Sequence, residues 1–445
     1  MAVRFDPHAY AMALAASGDV ATDGQMLFHW DGTHWQPVRD EDGERDAYRW
    51  TVKHDRDHVT PDNARKAHKA AILWAPELPT PTTAVVIPCR NGYVHVAART
   101  LALAPADKTL GLQHVLACDF LPTTAPAVRF LQFLETVLPD ADVRARVQEY
   151  VGYTLTSDAR HQLAQFWLGG GANGKGVLAN VVQALHGATA AVSLDALDGF
   201  RISALIGASL IYVDEVPRAR INEQLIKSLI AGETVLVDRK YRDPISLRVR
   251  GKWLVLGNHL PTVTDHTTGF WRRWDIVPFD VTIPEAERDP MLAQTIVETE
   301  LSGVLNWGLE GLLRLQLRGA FDVFKPAAMS RVLHTAKAET NSVQAWFDDG
   351  EITASTDCGT PKDDVFTDYR FWCGQNGLTP MASPRFWTRL HDLMRVEELR
   401  QRCATGQVRL CNVLLPDAAA AQAFHGASPR VGGRVPTQLS MVPAA

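Results

Sequence analysis

The sequence has few of the features that mark a secreted, membrane or zinc-dependent protein. Its six cysteines, Cys89, Cys118, Cys358, Cys373, Cys403 and Cys411, form no C-x-x-C pair and no other zinc spacing. That removes the cysteine zinc module carried by many primases. The fifteen histidines are scattered without an H-E-x-x-H or similar pair, so each is read as a surface or core residue. No run of eighteen apolar residues occurs, and the segment Met1-Ala2-Val3-Arg4-Phe5-Asp6-Pro7 lacks the apolar centre of a signal peptide. No membrane contact and a cytoplasmic location are therefore expected. Charge is also modest, a net −5 with a pI near 6.3, which argues against a surface that coats nucleic acid everywhere. Any nucleic-acid contact must come from basic residues gathered in one place. Asp140-Ala141-Asp142 has the D-x-D form of a polymerase metal pair, yet it lies between helical stretches and reads as a capping and surface cluster. No priming site is visible.

What is present starts at Gly169-Gly170-Gly171-Ala172-Asn173-Gly174-Lys175, a G-x-x-x-x-G-K phosphate-binding loop. It follows the apolar run Phe166-Trp167-Leu168 and opens the helix-forming segment Val177 to Leu185. Strand, glycine loop and helix together let backbone N–H groups and a helix dipole hold a triphosphate. The chain is expected to bind ATP, with Gly169 to Val177 as the binding loop. A glycine-rich turn before a packed helix is the structural alternative. The hydroxyl that usually follows the lysine and ligates magnesium is missing, because Gly176 stands there and Val177 cannot supply it.

The run Ser209-Leu210-Ile211-Tyr212-Val213-Asp214-Glu215 reads as a buried parallel strand that delivers two carboxylates at its C-terminal edge, a Walker B strand. Asp214 is expected to hold hydrated magnesium and Glu215 to orient or deprotonate the attacking water. An ordinary strand ending in solvated acids would look the same in isolation. A third strand, Lys252 to Gly257, ends in Asn258, whose amide suits a γ-phosphate sensor or, more plainly, a turn. Arg272 and Arg273 follow between Trp271 and Trp274. They read either as a solvated or cation-π pair or, in a ring, as fingers reaching a neighbour's nucleotide, Arg273 first and Arg272 second.

With these pieces the chain resembles the superfamily 3 helicases, and within them the phage and plasmid primase-helicase family. The resemblance extends to Ile226 to Glu233 and Val235 to Pro244. In that family these positions form a helix and a β-hairpin that carries a lysine and an aromatic or histidine into the central channel, places held here by Lys240 and Tyr241. Arg239, Lys240, Arg242, Arg248 and Arg250 make the segment cationic, with Asp243-Pro244 as the expected turn. Cations with an aromatic ring suit single-stranded DNA, while a solvated charged hairpin is the plainer reading. Looser likenesses upstream are Phe28 to Trp35, Arg90 to Tyr93 and Val147 to Leu155. The whole covers about two thirds of the chain. It implies an ATP- and magnesium-dependent DNA helicase, working as a homo-oligomeric ring of hexamer type on single-stranded and forked DNA, with a separate primase or initiator as a further partner. If phage-encoded, it would act in the host cytoplasm. An ATP-hydrolysing origin-binding initiator or oligomeric scaffold without unwinding is the alternative, and a primase is a third.

The expected architecture is α/β, a P-loop, AAA+-like ATPase motor between two smaller domains. A mixed accessory segment spans 1–105 and a helical one 106–158, including two amphipathic helices within Ala127 to Leu155. The motor spans 159–325, with helical stretches such as Glu285 to Leu317 that finish it or form its collar. A winged-helix-like domain is expected over 326–416, with helices at Val343 to Phe347, Val365 to Asn376 and Arg385 to Leu399 and a strand at Val408 to Leu415. Val365 to Cys373 resembles the family's C-terminal module. The tail 417–445, rich in alanine, proline and glycine, is expected to be disordered at least from Ala427.

Overall fold

Apolar runs that end in functional groups line up as one parallel sheet. In the computed structural model, which describes residues 4–415 except 98, 217–220, 240–241, 262, 264–267, 357 and 404–405, five strands lie in the order Trp274–Pro278, Ala164–Leu168, Lys252–Gly257, Leu210–Val213, Thr189–Ala191. All four pairings are parallel. Both faces are covered, so the three central strands are buried almost end to end, as their unbroken apolar runs require. The chain leaves the Ala164–Leu168 strand for the far edge of the sheet and works back, so its C-terminal end sits where successive connections diverge. Ligand crevices form at such a point.

Helix Lys175–Leu185 follows the first of these strands directly. Helix Leu292–Arg318 crosses helix Ala141–Thr154 at a separation that only glycine permits. A Cβ on Gly152 would lie 2.3 Å from the Gly308 carbonyl oxygen, and one on Gly311 would lie 2.4 Å from that of Gln148. Asp140 caps its helix by accepting from the Asp142 and Val143 N–H groups, a structural use of the D-x-D cluster. Upstream, strands Leu27–Trp30 and Trp35–Pro37 flank the expected tight turn, where Gly32 adopts φ +95°. A second three-stranded antiparallel sheet and helices Pro7–Ala15, Asp40–His54 and Pro61–Trp74 complete this part. Among the described residues no helix is long and apolar enough to cross a membrane, and no cluster of metal-ligating side chains occurs.

Under the sheet, two histidines are kept neutral. Burial draws His114 down to about 4 and His186 to about 3, despite the Leu155 carbonyl 3.2 Å from the first. His186 lies between Ser209 Oγ at 3.0 Å and Thr154 Oγ1 at 3.2 Å. An unfolded chain binds protons at these rings near pH 6.5. Both folded values are depressed, so their contribution is complete above that pH and is lost as pH falls through the folded values. Thermal melts should therefore show stability dropping between pH 6.5 and 4, on the order of 3 kcal/mol for His114 alone. A His114→Gln variant should lose less over that window; an equal loss would place the acid sensitivity elsewhere.

The chain divides into two compact units, 1–336 and 337–445. The second has helices Ser342–Asp349, Lys362–Gln375 and Ser383–Leu393 around Val343, Trp346, Val365, Tyr369, Phe386 and Leu390. Its sheet orders Thr360–Pro361, Gly406–Cys411 and Glu398–Cys403. The third helix is shorter than the sequence suggests: it ends at Leu393, and Glu398 onward is strand. That segment is charged and lacks a strand-like apolar face, and it becomes β because Gly406–Cys411 pairs with it. The expected tail disorder falls outside the described residues.

Candidate nucleotide site and hairpin

Register brings the motifs together. Gly257 pairs with Leu168, and Val255 pairs with both Phe166 and Val213. The residues that follow these strands, Gly169, Asp214, Glu215 and Asn258, therefore emerge at one level of the sheet edge. Residues Gly170 to Val177, Asp214, Glu215 and Leu256 to Asn258 line a single open cavity of about 470 Å³.

The loop is shaped by its own side chains. Asn173 donates from Nδ2 to the Gly170 carbonyl at 2.6 Å and to that of Phe279 at 3.1 Å. Ala172 is left-handed at φ +59° and Gly174 at φ +80°. A Cβ on Gly174 would lie 2.5 Å from Val137 Cγ1, so helix Val128–Val137 supports the loop from behind. The Lys175 ammonium donates to the carbonyls of Gly169 at 2.6 Å and Gly170 at 3.0 Å and to Asn258 Oδ1 at 3.3 Å. Burial holds it below its ordinary range. These weak neutral acceptors leave its charge unmatched, which suits a phosphate.

Asp214 and Glu215 are exposed. The Tyr212 hydroxyl donates to Asp214 Oδ1 at 2.8 Å, and Tyr212 itself is pushed up by burial first and then by that carboxylate. Sequence reasoning missed this positioning tyrosine. The signal was there, since residues two apart on a strand share a face. The donor set fits a nucleotide with its magnesium: a cation over an open loop, N–H groups of a helix N-terminus, and a free carboxylate facing them. A Cβ on Gly176 would meet nothing within 4 Å. Gly176→Ser should thus fold normally, keep nucleotide affinity and lower the magnesium concentration for half-maximal hydrolysis. Lost hydrolysis with intact binding would mean that the loop needs glycine there for another reason.

The two arginines lie at the opposite edge of the sheet. Trp274 pairs with Ala164, the start of the loop strand, so Arg273 and Arg272 stand roughly 15–20 Å from the loop along the strand direction. They cannot serve the nucleotide of their own subunit. Arg273 is buried, donates to the Gly269 carbonyl, and reaches Gln162 Oε1 at 3.4 Å; burial first, then Arg272 beside it, holds its pKa below the ordinary arginine range. Arg272 is exposed. The sequence reading favours Arg273 as the finger with Arg272 second, whereas exposure favours Arg272.

Hairpin strands Thr234–Arg239 and Arg242–Arg248 pair antiparallel, with Arg239 opposite Arg242. This corrects the expected turn: Asp243 and Pro244 lie inside the returning strand. Proline is tolerated there because the two-stranded sheet leaves an unpaired side. Lys240 and Tyr241 fall outside the described residues. Arg239 is engaged within the protein, donating to the Asp243 carbonyl at 3.0 Å and pairing with Asp40 at 2.9 Å. The Gln25 side chain bonds the Ser246 backbone in both directions, at 2.6 and 3.2 Å. The accessory segment thus grips both strands of the hairpin.

Residues 167–273, which contain the loop, the acidic strand, the hairpin and both arginines, match a family of unknown function, DUF5906. A protein of Acanthamoeba polyphaga mimivirus, provisionally named a helicase, is 26% identical over 159 residues, 33% of this chain. The match covers only 16% of that longer protein. Among solved structures, the apo C-terminal region of NrS-1 superposes with a TM-score of 0.54 at 12% identity, covering 92% of this chain and 100% of that one. A second apo structure of that region, residues 305–718, gives 0.52 at 11% identity. The chain therefore shares its fold with the NrS-1 C-terminal region, and a third of its sequence is similar to a viral protein named for helicase activity.

Proposed function

We propose that this chain is an ATP-driven superfamily 3 DNA helicase that forms a ring and moves along single-stranded DNA during replication of a virus or mobile element. One observation carries the reading: a buried loop lysine, two exposed carboxylates and an amide converge on one cavity at the end of a parallel sheet. Lys175 and the loop N–H groups would bind the triphosphate, with Asp214, held by Tyr212, facing its magnesium. A magnesium ion held there would neutralise charge on the triphosphate. Glu215 would accept the proton of the attacking water, and Asn258 would orient it or contact the γ-phosphate. The motor is assigned to 159–325, the accessory parts to 1–105 and 106–158, and a winged-helix domain to 326–416. The last is supported by the order of helix Ser342–Asp349, short strands Thr353–Ala354 and Thr360–Pro361, helices Lys362–Gln375 and Ser383–Leu393, and paired strands Glu398–Cys403 and Gly406–Cys411.

Because Arg272 is exposed and too far from its own loop, we assign it the contact to the neighbouring subunit's nucleotide, with Arg273 as its buried brace. Lys240 and Tyr241 are assigned to DNA. Lys240→Ala with Tyr241→Ala should leave basal ATPase intact and abolish both stimulation by single-stranded DNA and unwinding of a forked duplex. Normal unwinding by this variant would remove the hairpin from the mechanism. ATPase without unwinding in the unaltered protein would favour the initiator or scaffold.

A further inference from the structure

Another cavity of the first unit, about 650 Å³, shares no residue with the nucleotide site. It opens between the accessory segment, which supplies Thr22 to Met26 and Leu78, and the returning strand of the hairpin, which supplies Ile245 to Arg248, with Arg250 shortly after. Its size is within the roughly 300–1,000 Å³ that small-molecule sites occupy. Two of its arginines have no matching charge. Among the described residues the Arg250 guanidinium, half-buried, makes no hydrogen bond and no ion pair. Arg248 is exposed, has no ion pair either, and donates from Nε to a neutral acceptor, the Gly232 carbonyl at 2.9 Å. Burial first, and then Arg248 beside it, hold Arg250 below the ordinary arginine range. The acids of the wall do not answer them: Asp23 Oδ1 accepts from the Gln25 and Met26 N–H groups at 2.9 Å, and Glu77 pairs with neither arginine. A half-buried cation left without a counter-charge is costly, and an anion in the cavity would offset that cost.

The rest of the lining suits the other parts of a nucleotide. Met26 and Phe28 are buried and Leu78 half-buried, which gives the cavity an apolar wall for a flat ring. Gln113 and Ser157 are half-buried, and among the described residues neither side chain has a hydrogen-bond partner. An amide both donates and accepts, as the edge of a base requires, and a hydroxyl can do the same for a sugar. We propose that this cavity binds a nucleoside monophosphate, with Arg248 and Arg250 on its phosphate and the wall of Met26, Phe28 and Leu78 against its base. The guanidinium fork matches phosphate oxygens two at a time. One phosphate monoester carries about −1.5 to −2 charges near pH 7, which two arginines balance. A triphosphate would bring surplus negative charge into a cavity with no third cation on its wall. The ligand would join the accessory segment to the hairpin strand, as the Gln25 bonds to Ser246 already do beside it.

Isothermal titration of the full chain with AMP and with dTMP tests it, without magnesium and in a Lys175→Ala background that silences the loop site. At least one of the two should bind, and ATP should bind less tightly than that one. Inorganic phosphate and the matching nucleoside should each bind about tenfold or more weakly than the whole nucleotide, because each reaches only one end of the cavity. Arg248→Gln with Arg250→Gln should weaken nucleotide binding by about tenfold or more, the usual cost of losing hydrogen bonds to a charged group. Arg250→Gln alone should weaken it too and should not lower the melting temperature of the free protein, since its guanidinium has no partner there to lose. No binding of either nucleotide, unchanged binding in the double variant, or inorganic phosphate binding as tightly as the nucleotide would overturn the proposal. So would a lower melting temperature for Arg250→Gln with its nucleotide affinity intact, which would make that arginine a structural residue.

Discussion

Glu215→Gln is expected to bind ATP and assemble like the unaltered protein while its turnover falls by about 100-fold or more, the usual cost of removing a positioned base. The structure makes this a clean substitution. Glu215 is exposed at the cavity rim and among the described residues makes no hydrogen bond or ion pair, so the amide disturbs no contact. Asp214→Ala should also abolish turnover, with the added loss of the Tyr212 hydrogen bond, and the two can be told apart by magnesium titration of nucleotide binding. Lys175→Ala should differ from both by weakening binding itself, because its ammonium lies over the loop carbonyls. Equilibrium binding of a fluorescent ATP analogue beside steady-state phosphate release would check all three. Near-normal phosphate release by Glu215→Gln would assign the base to another residue.

Much of this site is legible in the sequence because it sits at strand ends. A run such as Leu210 to Val213 is apolar because neighbours bury both its faces, and the first polar residues after it must emerge at the sheet edge. What the sequence does not carry is which side chains meet across distance. Asp40 and Arg239 are paired although nearly two hundred positions separate them, and neither has a local pattern that says so. Arg273 is hidden by Gly269 and Gln162, so an arginine that looks like the natural finger turns out to be packed. The Asp243-Pro244 dipeptide reads as a turn on local chemistry, yet the register, with Val235 opposite Leu247 and Arg239 opposite Arg242, puts both residues inside the returning strand. Glu398 to Cys403 fails in the opposite way: its strand is imposed by a partner rather than by its own alternation.

Mixing two inactive subunits gives the sharpest test of the ring. If the exposed Arg272 reaches the neighbour's nucleotide, each working interface needs an intact Lys175 from one subunit and an intact Arg272 from the next. Homogeneous Arg272→Ala and Lys175→Ala rings have no such interface. In an equal random mixture, about a quarter of interfaces combine the intact loop of one variant with the intact arginine of the other, so hydrolysis should recover to that order. The sheet geometry is what requires the contact to be in trans, since Arg272 sits beyond the end of the loop strand opposite its own loop. Arg273→Ala behaves differently on this view. Removing a buried guanidinium leaves the Gly269 carbonyl and Gln162 without their donor, so it should lower thermal stability and recover less in the same mixture. If rings shown by mass to contain both subunits stayed inactive with Arg272→Ala yet recovered with a stable Arg273→Ala, the finger would be Arg273. If neither recovered, both arginines would belong to the packing of their own subunit.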